Sequence, residues 1–371
     1  MAMPYSSDNA VPKAHIEAVQ SVPPFKVTDP REIRLVSVTE TPSIGSGIFR
    51  GCLNIVLFYN KDMEDDSGWI VAGWIKESLG RALKEQPMLS GRLRRGENGD
   101  GELEIISNDS GARLLEAKIS TTLQDFLNVR DKDIAEAELV FWKNIDEQNP
   151  QFSPLFYVQV TNFQCGGYSI GISCSILLAD FLIMENFLQK WANIQKEILS
   201  KNGEINKVPI FYLPNLKPPN LNVNGSFKPV PSDYYGQILT FKITSNEIMD
   251  IKNDSCKNLA LLCIEEAEQK LGNQIMSSDF NFLVKESPQV MKFENGKKYY
   301  ELGKSHLKSN QVIDCSNLKD YLGTNEVSFR EGNTPARVSY WIGGANDGFV
   351  VAIPSFNEGV SELNFIITIP T

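Results

Sequence analysis

The residues of this chain that could carry out chemistry are few, and one of them lies inside an apolar stretch. The segment SCSILLADFL places Asp180 four residues after Ile176, between apolar neighbours. General acid–base catalysis needs a side chain that exchanges a proton near neutral pH, and isoleucine has no such group. The segment therefore offers a carboxylate and, at position 176, no proton acceptor.

Other groups that could act as a base, a nucleophile or a metal ligand are not arranged for it. The chain has two histidines, and His15 and His306 lie in segments that predict exposed residues. Too few histidines are present for a Ser-His-Asp triad or a zinc site. Cys174 lacks an activating partner and is predicted to be a buried thiol. Ser175 and Glu185 flank the apolar run as strand and helix-face residues, and either could serve at most as a weak polar group.

Composition indicates a globular protein with a substantial core. Apolar residues make up 42% of the 371 positions, which suits one large or two medium domains. The net charge of -10 argues against nucleic acid as a partner, because phosphate binding needs clustered cations. The cluster Arg92, Arg94 and Arg95 is predicted to be a solvated surface. The six cysteines contain no CxxC pair and are predicted to be free thiols in a reducing compartment.

The apolar segments do not predict a membrane span or a signal peptide. Residues 1–30 hold turn-forming residues without an apolar run, and they predict an extended arm. The longest apolar stretch, 168–184, is shorter than the ~20 residues that a spanning helix needs, and it contains Asp180. We therefore expect a cytoplasmic protein without its own membrane span.

Elements on both sides of Asp180 must position it. Residues 53–59 (LNIVLFY) are rich in β-branched and aromatic residues and predict a buried strand. Residues 69–85 carry apolar side chains at helical spacing and predict an amphipathic helix. Residues 89–106 predict a turn and hairpin. Around the site itself, the sequence predicts strands at 156–163 and 168–174 and a helix at 181–199.

The second half of the chain is separated from this region by a segment of different character. Residues 200–232 are rich in proline and asparagine, which excludes a helix or a central strand and predicts a linker. The elements predicted after it are strands at 237–243, 336–341, 348–353 and 363–369 and a helix at 259–271.

Motifs in the first half resemble the BAHD acyltransferase superfamily of plants. PMLSGRL (87–93) is similar to its P-x-L-x-G-R-L turn, NDSG (108–111) to its N-D-x-G element, and PLFYVQVTNFQCGG (154–167) to the strand pair before its active site. The superfamily continues with HxxxD, of which this chain has Asp180 and, at the histidine position, Ile176. The resemblance implies that the histidine is the general base and that the aspartate holds an arginine, so no catalytic residue is assigned in this chain.

The second half resembles the eceriferum clade of this superfamily. VPIFYLPNL (208–216) is similar to the clade's crossover segment, and the residues from PARVSYWIGG to PSFNEGV (335–360) are similar to its ending. The superfamily's DFGWG element is replaced by SFREG (328–332), which keeps the phenylalanine and the final glycine.

The resemblance implies a two-domain α/β fold of the chloramphenicol acetyltransferase type. Mixed sheets are flanked by helices in this fold, and a solvent channel runs between the domains. Residues 1–200 would form the N-terminal domain, 201–235 the crossover linker, and 236–371 a shortened C-terminal domain. The missing length is expected within 254–300.

The resemblance also implies a function in cuticular wax formation. Clade members assist a β-ketoacyl-CoA synthase in elongating very-long-chain fatty acids, and this chain would do so with little or no conventional acyl transfer. We expect no bound cofactor or metal, acyl-CoA as a substrate or ligand, and association with the endoplasmic reticulum through the synthase.

Three alternatives remain open. The first is an acyl-CoA-dependent acyltransferase, for groups other than aminoacyl groups, that works by positioning without the histidine. The second is an enzyme of another reaction class, such as a lyase, in the same channel. The third is an inactive truncated remnant, because the chain stops directly after its last predicted strand.

Overall fold

The fold is described from a computed structural model, which covers residues 11–38, 47–61, 68–96, 102–202, 236–246, 249, 254–272, 275–298, 311–316, 318, 322–344, 346–355 and 361–370. Within these ranges the strands are β1 His15–Val22, β2 Ile33–Val38, β3 Cys52–Tyr59, β4 Arg92–Arg95, β5 Leu103–Ile106, β6 Ala112–Ile119, β7 Phe156–Phe163, β8 Tyr168–Ser175, β9 Gly236–Ser245, β10 Asp279–Ser287, β11 Val290–Lys297, β12 Gln311–Ser316, β13 Arg337–Gly343, β14 Phe349–Ser355 and β15 Ser361–Pro370. The α-helices of the same ranges are α1 Gly47–Arg50, α2 Gly68–Glu85, α3 Leu123–Leu127, α4 Lys132–Ala137, α5 Ala179–Ile183, α6 Phe187–Asn202 and α7 Asp254–Leu271.

The strands form two sheets. The first, called the small sheet, has the order β1-β6-β7-β8-β3-β13, and the second, called the large sheet, has the order β12-β9-β15-β14-β10-β11-β2-β5-β4. Parallel pairs occur in both, β6 with β7 in the small sheet and β10 with β14 in the large sheet, among antiparallel neighbours. Helices pack against both sheets. The predicted fold class, mixed sheets flanked by helices, is therefore confirmed.

The strand that leads to Asp180 lies in the middle of the small sheet. β8 pairs antiparallel with β7 on one side and with β3 on the other, and every residue of β8 and β3 is buried. β-Branched and aromatic residues suit such a position, because side chains on both faces pack against the protein. The predicted strands 53–59, 156–163 and 168–174 are confirmed here.

Each sheet takes strands from both halves of the chain. β13, from the second half, pairs with β3 at the edge of the small sheet, and β2, β5 and β4, from the first half, extend the large sheet beyond β11. The predicted division into 1–200, 201–235 and 236–371 stays a prediction. Residues 203–235, which hold nearly all of the predicted linker, lie outside the described residues.

The large sheet has a different core on each face. Adjacent residues of β10 show this, since Leu283 packs in the main core with residues of the small sheet, while Phe282 packs beneath α7. Successive side chains of a strand point to opposite faces, so one strand supplies both cores. On the small sheet α2 packs against α6, where Trp191 Nε1 donates to Ser78 Oγ at 2.9 Å.

Three predictions about local structure need correction. The predicted helix 181–199 is two helices, α5 and α6, because Asn186 between them has a left-handed backbone with φ 51°. Part of the predicted N-terminal arm is the edge strand β1, which pairs with β6. Arg92 is not part of a solvated surface, because its guanidinium is buried and donates to the carbonyl oxygens of Gly91 and Gly111 at 2.7 and 3.0 Å.

Candidate functional site

The chain turns sharply where β8 ends, and the turn is held by backbone hydrogen bonds. Ser175 N donates to Leu155 O at 2.8 Å, and Ile176 N donates to Gly51 O at 3.0 Å. The hydroxyl of Ser175 accepts from Leu177 N at 3.4 Å and so caps the 3₁₀ turn Ile176–Leu178. α5 follows immediately and brings Asp180 back beneath the turn.

Ile176, which the resemblance matches to the superfamily's histidine, is fully enclosed. Its side chain is 1% exposed and belongs to the main core. A β-carbon built on Gly51 would lie 3.0 Å from Ile176 Cγ2 and 2.8 Å from Phe349 Cζ, so both side chains pack against this glycine. The side chain at position 176 is therefore apolar, and so are its neighbours Gly51 and Phe349.

Asp180 is a buried anion held by two cations from the large sheet. Its carboxylate accepts from Arg34 Nη1 and Nη2 at 2.8 and 3.1 Å and from Lys285 Nζ at 2.5 Å. The carboxylate is 0% exposed, and the arginine and lysine side chains are 3% and 9% exposed. Arg34 also donates to Leu177 O at 3.2 Å and lies over the ring of Phe181. The arrangement locks the turn after β8 to the facing sheet.

The electrostatics of this cluster keep Asp180 ionised. Burial alone raises the pKa of the Asp180 carboxyl, but the charges and hydrogen bonds of Arg34 and Lys285 outweigh burial and hold the pKa below its ordinary value. Such a carboxylate cannot accept a proton near neutral pH. Its geometry suits a structural ion pair rather than a general base.

The remaining candidate groups among the described residues do not supply a base at this position. Burial raises the pKa of Cys174 well above its ordinary value, and the charge of Asp180 adds to this effect. Ser175 serves as a cap, and Glu185 accepts from Gln86 Nε2 at 2.6 Å. His15 is exposed on β1, and the strand register places it three strands away from β8 and level with Tyr168, at the opposite end of β8 from Ile176. His306 lies outside the described residues.

Residues 328–332, which the resemblance matches to the DFGWG element, pack against the first half of the chain. Phe329 is fully buried and meets the ring of Trp191 edge-on at 4.8 Å between centroids. Tyr59 donates from its hydroxyl to Val327 O at 2.8 Å, and Gly332 has a left-handed backbone with φ 79°. Phe329 thus has a packing role and Gly332 a backbone role, and these are the two residues that the resemblance matches to the element.

Sequence reasoning missed three residues of this site. Nothing in the sequence indicated which arginine would meet Asp180, because Arg34 is 146 positions away. Lys285 and Phe349 were also missed. The sequence does hold one signal for Lys285, which directly follows the apolar residues FLV (282–284) of β10. The structure shows that this lysine is buried.

Two further properties concern the described part of the chain. No group of three or more His, Cys, Asp and Glu side chains within it lies close enough together to hold a metal ion. None of its helices combines the length and the apolar character that a membrane crossing requires.

Comparison with known proteins identifies relatives of this chain. It is 33% identical over 118 residues to protein ECERIFERUM 26-like of Arabidopsis thaliana, a match covering 32% of this chain and 27% of the relative. It is 34% identical over 145 residues to taxadien-5-alpha-ol O-acetyltransferase of Taxus chinensis, covering 38% and 31%. It is 29% identical over 220 residues to anthranilate N-benzoyltransferase protein 1 of Dianthus caryophyllus, covering 57% and 46%. The matched regions thus span less than half of these relatives.

Solved structures and a family model complete the comparison. Vinorine synthase matches over 95% of this chain and 94% of its own, with 13% identity and a TM-score of 0.46. TRI101 of F. graminearum, complexed with ethyl coenzyme A, matches over 91% and 95%, with 12% identity and a TM-score of 0.40. The model of the Transferase family matches residues 50–286, which is more than half of the chain. The chain therefore belongs to the Transferase family, that of the BAHD acyltransferases.

Proposed function

We propose that this protein assists the elongation of very-long-chain fatty acids for cuticular wax and carries out little or no conventional acyl transfer. The observation that carries the proposal is that Ile176, which the resemblance matches to the family's general base, is fully enclosed. Acyl transfer from a thioester to a hydroxyl or amine requires that the acceptor lose a proton. The described groups around position 176 do not provide an acceptor for it.

The groups nearest to Ile176 support this proposal in different ways. Asp180 is ionised, but its carboxylate is occupied by Arg34 and Lys285. Cys174 stays a protonated thiol, because burial raises its pKa. Both groups therefore support a scaffold that keeps the family's architecture without its proton transfer.

The accessory role is proposed from the relatives and from the sequence motifs. Protein ECERIFERUM 26-like is among the relatives, and the motifs of the second half resemble the same clade. A protein in this role would contact a β-ketoacyl-CoA synthase and shift the length of its products. No base at position 176 is needed for that, because the synthase carries out the chemistry. Association with the endoplasmic reticulum would come through this partner.

Co-expression in yeast tests the proposal. The protein is produced with each of several β-ketoacyl-CoA synthases, and the chain lengths of the fatty acids are measured. We expect longer products with at least one synthase when the protein is present, and recovery of the protein in microsomes only in that combination. The control is Ile176→Val, which keeps an apolar side chain at this buried position and leaves the protein surface unchanged. It should act like the wild type.

Two outcomes would contradict the proposal. Identical fatty acid profiles with and without the protein, across all synthases tested, would favour an inactive remnant. Robust transfer from acyl-CoAs to alcohols or amines by the purified protein, retained after His15→Ala and His306→Ala, would instead favour an acyltransferase that works by positioning.

A further inference from the structure

The ring of Phe349, the first residue of β14, is seated where the two sheets approach each other beside Ile176. Phe349 is 0% exposed, and it lies next to Asn281 of β10 in the strand register. A β-carbon built on Gly47 would lie 2.8 Å from Phe349 Cζ, and one built on Gly51 would lie at the same distance of 2.8 Å from this atom. The tip of the ring therefore fits into a notch formed by two glycines.

Only glycine allows this approach. Real β-carbons essentially never come within 3.0 Å of a neighbouring heavy atom, so a larger residue at Gly51 would press on the ring, and one at Gly47 would press on the ring and, at 2.5 Å, on Asn281 Oδ1. Gly51 also receives the backbone hydrogen bond from Ile176 N at 3.0 Å, which fixes the notch to the end of β8. The ring, the notch and the isoleucine form one packed unit across the two sheets.

The proposed function assigns the general-base position to Ile176, so an acyl-CoA thioester that takes part in transfer would have to lie beside this residue. We propose that the ring of Phe349 fills the space beside Ile176 and so excludes an acyl-CoA thioester from the neighbourhood of this residue. The inference rests on the proposed function, because that proposal assigns Ile176 to the base position. It adds that the site lacks space as well as a base.

A missing base alone and a missing base beside a filled space predict different results for Ile176→His. If only the base were missing, Ile176→His would restore transfer. If Phe349 also fills the space, a histidine at position 176 would have no thioester within reach, and transfer would require the removal of both side chains. Burying a polar imidazole in this apolar unit would also be unfavourable without a hydrogen-bond partner.

Binding of octanoyl-CoA, measured by isothermal titration calorimetry, is the first test. We expect Phe349→Ala to bind it roughly tenfold or more tightly than the wild type, which corresponds to about 1.4 kcal/mol. The matched control is Phe282→Ala. Phe282 is equally buried in the same sheet but lies on the opposite face, beneath α7, so its removal should leave binding unchanged.

Removing a buried ring can also unfold a protein, so a second variant accompanies the first. Phe349→Leu keeps much of the apolar volume and should give a smaller gain in binding, with a cooperative thermal transition that shows it is folded. If Phe349→Ala does not fold, Phe349→Leu decides alone. Binding at the wild-type level in every folded variant of this residue would overturn the inference.

Transfer of the octanoyl group to a panel of alcohols is the second test. We expect Ile176→His/Phe349→Ala to exceed Ile176→His in kcat/KM by about tenfold or more. Equal activity of the two variants would show that the ring does not limit access. Failure of the proposed function would appear elsewhere, as unchanged fatty acid profiles when the wild type is co-expressed with the synthases, and it would leave the binding results as they are.

Discussion

The guanidinium of Arg34 donates two parallel hydrogen bonds to the carboxylate of Asp180, at 2.8 and 3.1 Å, across the boundary between the two sheets. Arg34 is a residue of β2 in the large sheet, whereas Asp180 belongs to the helix that follows β8 of the small sheet. Two-point contacts of this kind fix orientation as well as distance. The pair therefore sets how the turn at Ile176 faces the large sheet.

We predict that Asp180→Ala destabilises the protein by about 3–5 kcal/mol, because it leaves Arg34 and Lys285 buried without their anion. Denaturant unfolding would measure the change. The matched control is Asp131→Ala, since Asp131 is exposed and its side chain makes no capping hydrogen bond. This control should alter the free energy of unfolding by less than about 0.5 kcal/mol. An Asp180→Ala protein of wild-type stability that has lost its effect on elongation would give Asp180 a direct functional role instead.

The same carboxylate should make stability sensitive to acid. Its pKa in the folded state lies below the ordinary value, so its contribution is fully present above the unfolded-state pKa of about 3.9 and is lost as the pH falls toward the folded-state pKa. We expect the difference in free energy of unfolding between the wild type and Asp180→Asn to be constant above about pH 5 and to shrink below about pH 4.

Other carboxyl groups do not disturb this comparison. Burial raises the pKa of Glu116 and of Glu136, but both glutamates are present in the wild type and in the variant, so their effects cancel in the difference. The measurement is a series of urea unfolding curves between about pH 3 and pH 7. A difference that does not change with pH would mean that the charge of Asp180 is not what stabilises the fold.

Local sequence patterns predicted those elements whose apolar residues alone define them. The strands at 53–59 and 156–163 and the helix at 69–85 are present within one residue of the expected bounds. Pairing between distant segments was not predictable in this way. β13 joins the small sheet and β2 joins the large sheet through partners more than two hundred positions away, and neither strand carries a local signal for its partner.

The site was predictable to a similar extent. The carboxylate at position 180 and the lack of a proton acceptor at position 176 follow from residue types, because no conformation of isoleucine accepts a proton. The partners of the site do not follow from residue types. Arg34, Lys285 and Phe349 reach it only through the order of strands in the large sheet, which depends on long-range pairing.

The glycine notch gives a prediction about packing. Gly51→Ala should destabilise the protein by about 1–3 kcal/mol, since its β-carbon would press on Phe349 and on Gly47 O. Gly96→Ala is the control, because a β-carbon there meets its nearest neighbour at 3.4 Å, an ordinary contact. Thermal and urea unfolding would measure both changes.

A double mutant links this prediction to the ring itself. Phe349→Leu shortens the side chain that Gly51→Ala would strike, so the two changes together should cost less than the sum of their separate costs. Strict additivity would show that the notch and the ring do not constrain each other.

The cysteines should differ sharply in reactivity. Burial raises the pKa of Cys52 and of Cys256 to about 12, and it also raises the pKa of Cys174, of Cys263 and of the partly buried Cys315. Cys165 is exposed. Because the thiolate is the reactive form, native protein treated with a thiol reagent should show one rapidly labelled cysteine.

Peptide mapping by mass spectrometry would identify that residue. We expect it to be Cys165, and Cys165→Ser should remove the fast phase while leaving the slow labelling of the buried thiols intact. Fast modification of Cys174 in the folded protein would contradict the enclosed geometry described for the end of β8.

Because each sheet contains strands from both halves of the chain, we predict that neither half folds without the other. A fragment of residues 1–202 would lack β11, so β2 would lose its parallel partner, and it would lack β13, so β3 would become an edge. Val36 of β2, which is 0% exposed in the whole protein, would lose its contacts with the strands of the second half. Exposed strand edges and apolar surface favour association and loss of fixed packing.

We expect this fragment to bind a hydrophobic dye and to unfold without a cooperative transition. Co-expression with residues 236–371 should restore a soluble complex with wild-type circular dichroism. A fragment that is monomeric, gives well-dispersed amide resonances and unfolds cooperatively would show instead that residues 1–202 fold as an independent domain.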